Sequence, residues 1–136
     1  MPGFSTYLEN AVLDQWFGGV AATIPGTLYV GLSTTDPLEA GTGITEPPTA
    51  NGYTRAAVAN NTTNWPATGG DGTKANGTAI AFPAATGDWG TVTHFFIATA
   101  ATGGNILASS TIGTPKTITN GDTASFGAGS LTITLE

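Results

Sequence analysis

The side chains that could do chemistry are few: one histidine, His94, three cations, Arg55, Lys74 and Lys116, nine carboxylates and no cysteine in 136 residues. Without cysteine there is no thiolate nucleophile, no zinc knuckle and no disulfide framework. A metal centre built on His94 would have to recruit carboxylates, yet Asp36, Glu39, Asp71, Asp88 and Asp122 stand in separate turns without the spacing of a calcium loop. His94 itself alternates with Val92 and Phe96, the setting of a core or hydrogen-bonded strand histidine. Glycoside hydrolysis needs two carboxylates facing each other across a cleft, whereas acids in turns read first as turn and cap formers. No serine sits in a G-x-S-x-G elbow, and Gly41 and Gly43 complete neither nucleotide-binding loop pattern. These residue types predict a chain that is not an enzyme and has no catalytic residue, no cofactor and no metal ligands.

Charge narrows the partners. The formal net charge is −6, and the three cations are far apart in sequence, so the chain lacks the clustered Lys and Arg that neutralise phosphates. Nucleic acid is not an expected partner. Apolar stretches are interrupted by Gly, Thr or Asn well short of the roughly 20 residues of a membrane span, and no basic region precedes an apolar core at the N-terminus. Neither a cleaved export signal nor a membrane segment is expected. The sequons at Asn60, Asn61 and Asn76 carry meaning only in a eukaryotic secretory pathway, for which the sequence gives no signal.

The elements that must position these residues are one helix and a succession of strands. Thr6 and Glu9 have capping-box spacing, with Thr6 expected as N-cap. Beyond them Leu8, Ala11, Val12, Gln15 and Trp16 fall on one side and Glu9, Asn10 and Asp14 on the other, until Gly18 and Gly19 end the helix. Leu13 and Phe17 widen the apolar surface beyond a normal stripe, so the helix either covers the edge of a core or offers its aromatic end to another chain. From there on, period-2 alternation predicts strands over 27–33, 52–60, 78–82, 92–99, 105–112, 117–119 and 130–135. Between them lie turn dipeptides such as Asp36-Pro37, Asn51-Gly52, Asp71-Gly72, Asn76-Gly77 and Asn120-Gly121. Such spacing predicts a mainly β fold, a β-sandwich or jelly roll with one short N-terminal amphipathic helix, in which threonine covers the solvent face. One domain is expected, with residues 1–19 as the helical segment and 20–136 as the sandwich.

The expected core is Leu28, Val30, Leu32, Ile80, Phe82, Val92, Phe96, Leu107, Leu131, Ile133 and Leu135. Two loops, 34–51 and 61–77, are long for so small a domain and read either as mobile surface or as contacts with a neighbouring subunit. Candidate interface anchors are Trp16 and Phe17 at the helix end and the turn-flanked Trp65 and Trp89, because aromatic rings supply much of the energy of interfaces.

The order of motifs YLENAVLDQWFGG, TLYVGLSTTDP, GYTRAAV, TGDWGTVTHFFIATAATGGNILA and GDTASFGAGSLTITLE resembles small virion proteins of tailed bacteriophages and prophages, of the tail fibre or capsid decoration kind. The likeness covers most of the chain and is most specific from Trp89 to Phe95 and in the closing segment. It implies a non-enzymatic virion protein without catalytic residues. Because the chain has neither heptads nor repeats from which to build a shaft, a capsid decoration or cement role is the first expectation. Its partners would then be the major capsid protein and copies of itself, a homotrimer by analogy with decoration proteins of similar size. The alternative is a tail fibre or tail-tip protein that binds a host-surface glycan, with Trp65 or Trp89 as a stacking platform.

Overall fold

The computed structural model describes residues 3–134. Its elements are β1 (Gly3–Phe4), α1 (Thr6–Gly18), β2 (Thr27–Ser33), a 3-10 turn (Thr49–Asn51), β3 (Ala56–Ala59), β4 (Thr73–Ala75), β5 (Ile80–Ala81), β6 (Gly90–Ala98), β7 (Ile106–Ile118), β8 (Ser125–Phe126) and β9 (Thr132–Thr134). With 34% strand and 12% helix the chain is mainly β, as expected. An antiparallel five-stranded sheet runs in the order β1-β7-β6-β2-β3, and two short ribbons, β4-β9 and β5-β8, form the second layer.

The core lies between these layers. On the sheet side, Val30 and Leu32 of β2, Val58 of β3 and Val92, Phe95 and Ile97 of β6 face it, while Ile80, Phe82 and Leu131 close it from the ribbon side. Leu28, Leu107 and Ile133 pack against its margin. Leu135 lies outside the described residues. Phe96 is wholly buried but belongs to the opposite face, because the β6–β7 ladder slips between Val92 and His94. There the register passes from Val92↔Lys116 to His94↔Thr111, two steps along β6 against five along β7. The excess residues include Gly113 in the left-handed region, at φ 85°, and Pro115, which has no N–H for a ladder. The bulge reverses the alternation, so His94 and Phe96 share one face while Val92 takes the other. It also explains why the expected strands at 105–112 and 117–119 are one continuous β7.

Phe96 fills the space left by a glycine. It pairs across the ladder with Gly31, and a Cβ on Gly31 would fall well inside contact distance of the Phe96 ring. The Arg55 guanidinium lies over the face of this ring, 5.0 Å from its centroid. Gly31→Ala is therefore expected to destabilise the fold by about 1–3 kcal/mol through overpacking. Urea unfolding checks this: an unchanged midpoint would mean that the ring has room to move.

Candidate interaction surface

Helix α1 starts one residue earlier in its cap than the sequence pattern predicts. Ser5, not Thr6, is the N-cap: its Oγ accepts from the Leu8 N–H at 3.3 Å and donates to the Ile106 carbonyl. The Ser5 N–H donates to the Leu107 carbonyl at 2.7 Å, which docks the helix start on β7. A side chain able to bind both the helix and the sheet wins over one that can cap only the helix. At the other end Gly19 adopts the left-handed conformation at φ 69°, and the Val20 N–H returns to the Asp14 carbonyl at 3.1 Å.

The helix carries two apolar stripes, and the fold uses one. Leu8, Ala11 and Val12 are half-buried toward β7, with Leu8 lining a groove of about 420 Å³ together with Leu28 and Leu107. No residue of α1 is fully buried. Leu13, Trp16 and Phe17 are exposed, Trp16 at 76% and Phe17 at 86%, while Val20 and Ile24 of the linker line the inward groove beside Leu8 and Ala11. Phe17 has already left helical geometry, at φ −119° and ψ 20°.

Trp65 and Trp89 are placed differently. They are only 5% and 2% exposed and belong to the core cluster, so neither ring is available to a partner of the folded chain. Their reading as interface anchors, and with it the glycan platform built on them, gives way to a packing role. The Trp89 indole N–H donates to the Asn51 carbonyl at 2.8 Å, and the ring meets Tyr53 edge-on at 5.3 Å. No pattern of alternation marks these positions, since both rings are delivered to the core by irregular chain.

Polar chemistry concentrates at a cluster that sequence reasoning missed. Arg55, whose side chain is 5% exposed, donates through Nε and Nη2 to the Glu46 carboxylate at 2.9 and 3.1 Å and through Nη1 to the carbonyls of Ala100 and Gly103 at 2.8 and 2.9 Å. Tyr53 Oη donates to Glu46 at 2.7 Å and accepts from the Leu32 N–H at 3.1 Å. These bonds tie Glu46, Tyr53 and Arg55 to one another and to three backbone groups, the arrangement of a structural latch. His94 is half-buried, its Nδ1 2.8 Å from the Thr93 hydroxyl. The Asp36 carboxyl is held below the usual range by the N–H of Leu38, which donates to it at 2.9 Å. Among the described residues no three His, Cys, Asp or Glu side chains are grouped so as to hold a metal ion.

The family model for podophage GP4 fiber I protein gp80 matches residues 3–134. The chain belongs to this family. No curated protein matches it. Membership of the fiber I family makes the chain a phage virion structural protein and moves its expected place from the capsid surface toward the tail.

The latch gives the protein a pH limit. Burial first, and then the hydrogen bond donated to Glu46, push the Tyr53 hydroxyl far above the usual tyrosine range. The folded chain thus keeps this proton at a pH where the unfolded chain releases it. The stabilisation is fully present below the unfolded value of about 10 and is lost as pH rises above it. Denaturant titrations at successive pH values are expected to show stability falling from about pH 10 upward, with the slope reduced in Tyr53→Phe. An equal slope in the variant would place the alkaline limit elsewhere.

Proposed function

We propose that this chain is a non-enzymatic structural subunit of a phage tail fibre, a compact module that is held to its neighbours through apolar surface. The observation that carries this reading is the match of the fiber I family over residues 3–134. A module and not a shaft suits the fold: among the described residues the α-helix has 13 residues and the strands pair into one five-stranded sheet and two short ribbons, without a repeating rod. A structural role also suits the way the polar groups are used. Glu46, Tyr53 and Arg55 bond to one another, and Trp65 and Trp89 pack in the core, while Trp16 and Phe17 at the helix end stay exposed to contact.

Antibodies raised against the purified protein and conjugated to gold are expected to label the tail region of intact virions seen by negative-stain electron microscopy. In particles from a phage lacking the gene, adsorption to host cells is expected to fall while the temperature of head rupture stays unchanged. Label spread over the head, together with rupture at lower temperature in the deletion, would overturn the tail assignment in favour of capsid cement.

A further inference from the structure

Where the start of α1, the sheet and the β4–β9 ribbon meet, they leave a cavity of about 350 Å³. Phe4 and Leu8 line it near the N-terminus, Leu28 and Leu107 on the sheet and Ile133 on the ribbon. The loop between β3 and β4 adds Trp65, and β4 itself adds Lys74. No Asp or Glu among the described residues lines it, although the chain has nine carboxylates. Two donors in this lining have no acceptor. The Trp65 indole N–H is buried without a partner. Lys74 is half-buried and forms no ion pair or side-chain hydrogen bond among the described residues, whereas Arg55 is matched by Glu46 and two carbonyls. Native structures rarely leave a buried donor unpaired, so an apolar cavity that collects two of them is short of an acceptor.

We propose that this cavity binds an alkanoate, a linear hydrocarbon chain ending in a single carboxylate. The chain lies against the leucine and isoleucine walls, and the carboxylate meets the Lys74 ammonium, with the Trp65 N–H as a second donor of the same lining. Each part of the ligand answers a property of the cavity. A plain alkane would leave both donors unmet. A sugar would bring several hydroxyls against walls that cannot bond them. A phosphate or other polyanion would lose its water with one cation to offset its charge. One carboxylate matches one lysine, whose stem can lie along the apolar wall while its head turns to the anion. The wall that carries Trp65 is already ordered: the Trp65 N–H donates to the Asn61 carbonyl at 2.9 Å and the Gly77 N–H to the Asn64 carbonyl at 2.6 Å. Binding therefore does not have to order the 61–77 loop, and that long loop acquires a use. The site is independent of where the subunit stands in the virion, so its failure would leave the tail assignment standing.

Titration calorimetry of the purified chain with octanoate is expected to show one saturable site. Affinity is expected to rise about fourfold per methylene from hexanoate to octanoate, the value of removing each group from water, and to level off once the cavity is full. Lys74→Gln is expected to weaken octanoate about tenfold and to leave the binding of octanol unchanged. Lys74 has no carboxylate partner among the described residues, so the variant tests contact with the ligand and not folding. In proton–nitrogen correlation spectra, octanoate is expected to move the sequentially assigned indole signal of Trp65 and to leave those of the exposed Trp16 and the hydrogen-bonded Trp89 in place. Absence of saturation, an affinity that keeps rising through tetradecanoate as surface partitioning would, octanoate binding unchanged by Lys74→Gln, or a Trp65 signal that stays still would each overturn the proposal.

Discussion

The structure turns on one buried guanidinium. Arg55 bridges three segments that share no strand pairing: Glu46 in the long 34–51 loop, the carbonyls of Ala100 and Gly103 in the turn after β6, and the ring of Phe96 on the sheet. Planar, bidentate donation suits a carboxylate on one edge and carbonyls on the other while leaving the flat face for an aromatic ring. Lysine has no such geometry. With Glu46 fixed, Tyr53 is fixed too, and its hydroxyl meets the Leu32 amide just where β3 diverges from β2 beyond the Val30↔Ala56 pair. A backbone donor that would otherwise lose its partner is thereby satisfied. The loop is held by this latch, which explains how a long segment with hardly any aliphatic residue is nonetheless ordered.

Elsewhere the work of ordering falls to neutral polar groups. Asn76 is buried, and its side chain donates to the carbonyls of Thr78 and Gly127 and accepts from the Leu131 N–H. Asn61 accepts from the amides of Thr63 and Asn64, and Asn64 in turn donates to the Ala59 carbonyl. Amides bound in this way cost less to bury than charges, because no ion has to be stripped of water. On the surface, threonines meet across the ladder, as Thr91 and Thr117 do at 2.9 Å. A chain with three cations can be stable because its turns and loops are tied by amides and hydroxyls in place of ion pairs.

What could be read in the sequence follows the same division. Strand β2 is found at the residues its alternation marks, since both of its long-range neighbours obey period 2 there. Ile80, Phe82, Val92 and Leu131 were legible as core for the same reason. Phe95 and Ile97 were not, because the bulge opposite Gly113 and Pro115 reverses the parity of β6, and a register slip is a property of two strands that neither shows alone. Trp65 and Trp89 looked like surface anchors because turn residues flank them; their burial is decided by the ribbons folding over the sheet. The Arg55 latch joins residues 9 and 45 positions apart or more, beyond the reach of any local pattern.

The helix is where these two kinds of constraint separate. Its inward stripe is small, Leu8, Ala11 and Val12, because α1 crosses the margin of a core that the ribbons already close. Its outward stripe holds the larger rings, the reverse of what a helix stabilised by its own domain would select. Trp16 and Phe17 contribute little to the stability of the single chain, since their surface stays in water whether or not the chain folds. Their size has a physical use only where that surface is removed from water by another chain. A weakly charged surface steers encounters poorly, so association through this patch would be slow to form and, once desolvated around two rings, slow to part. That kinetic balance suits a subunit that is assembled once and then holds.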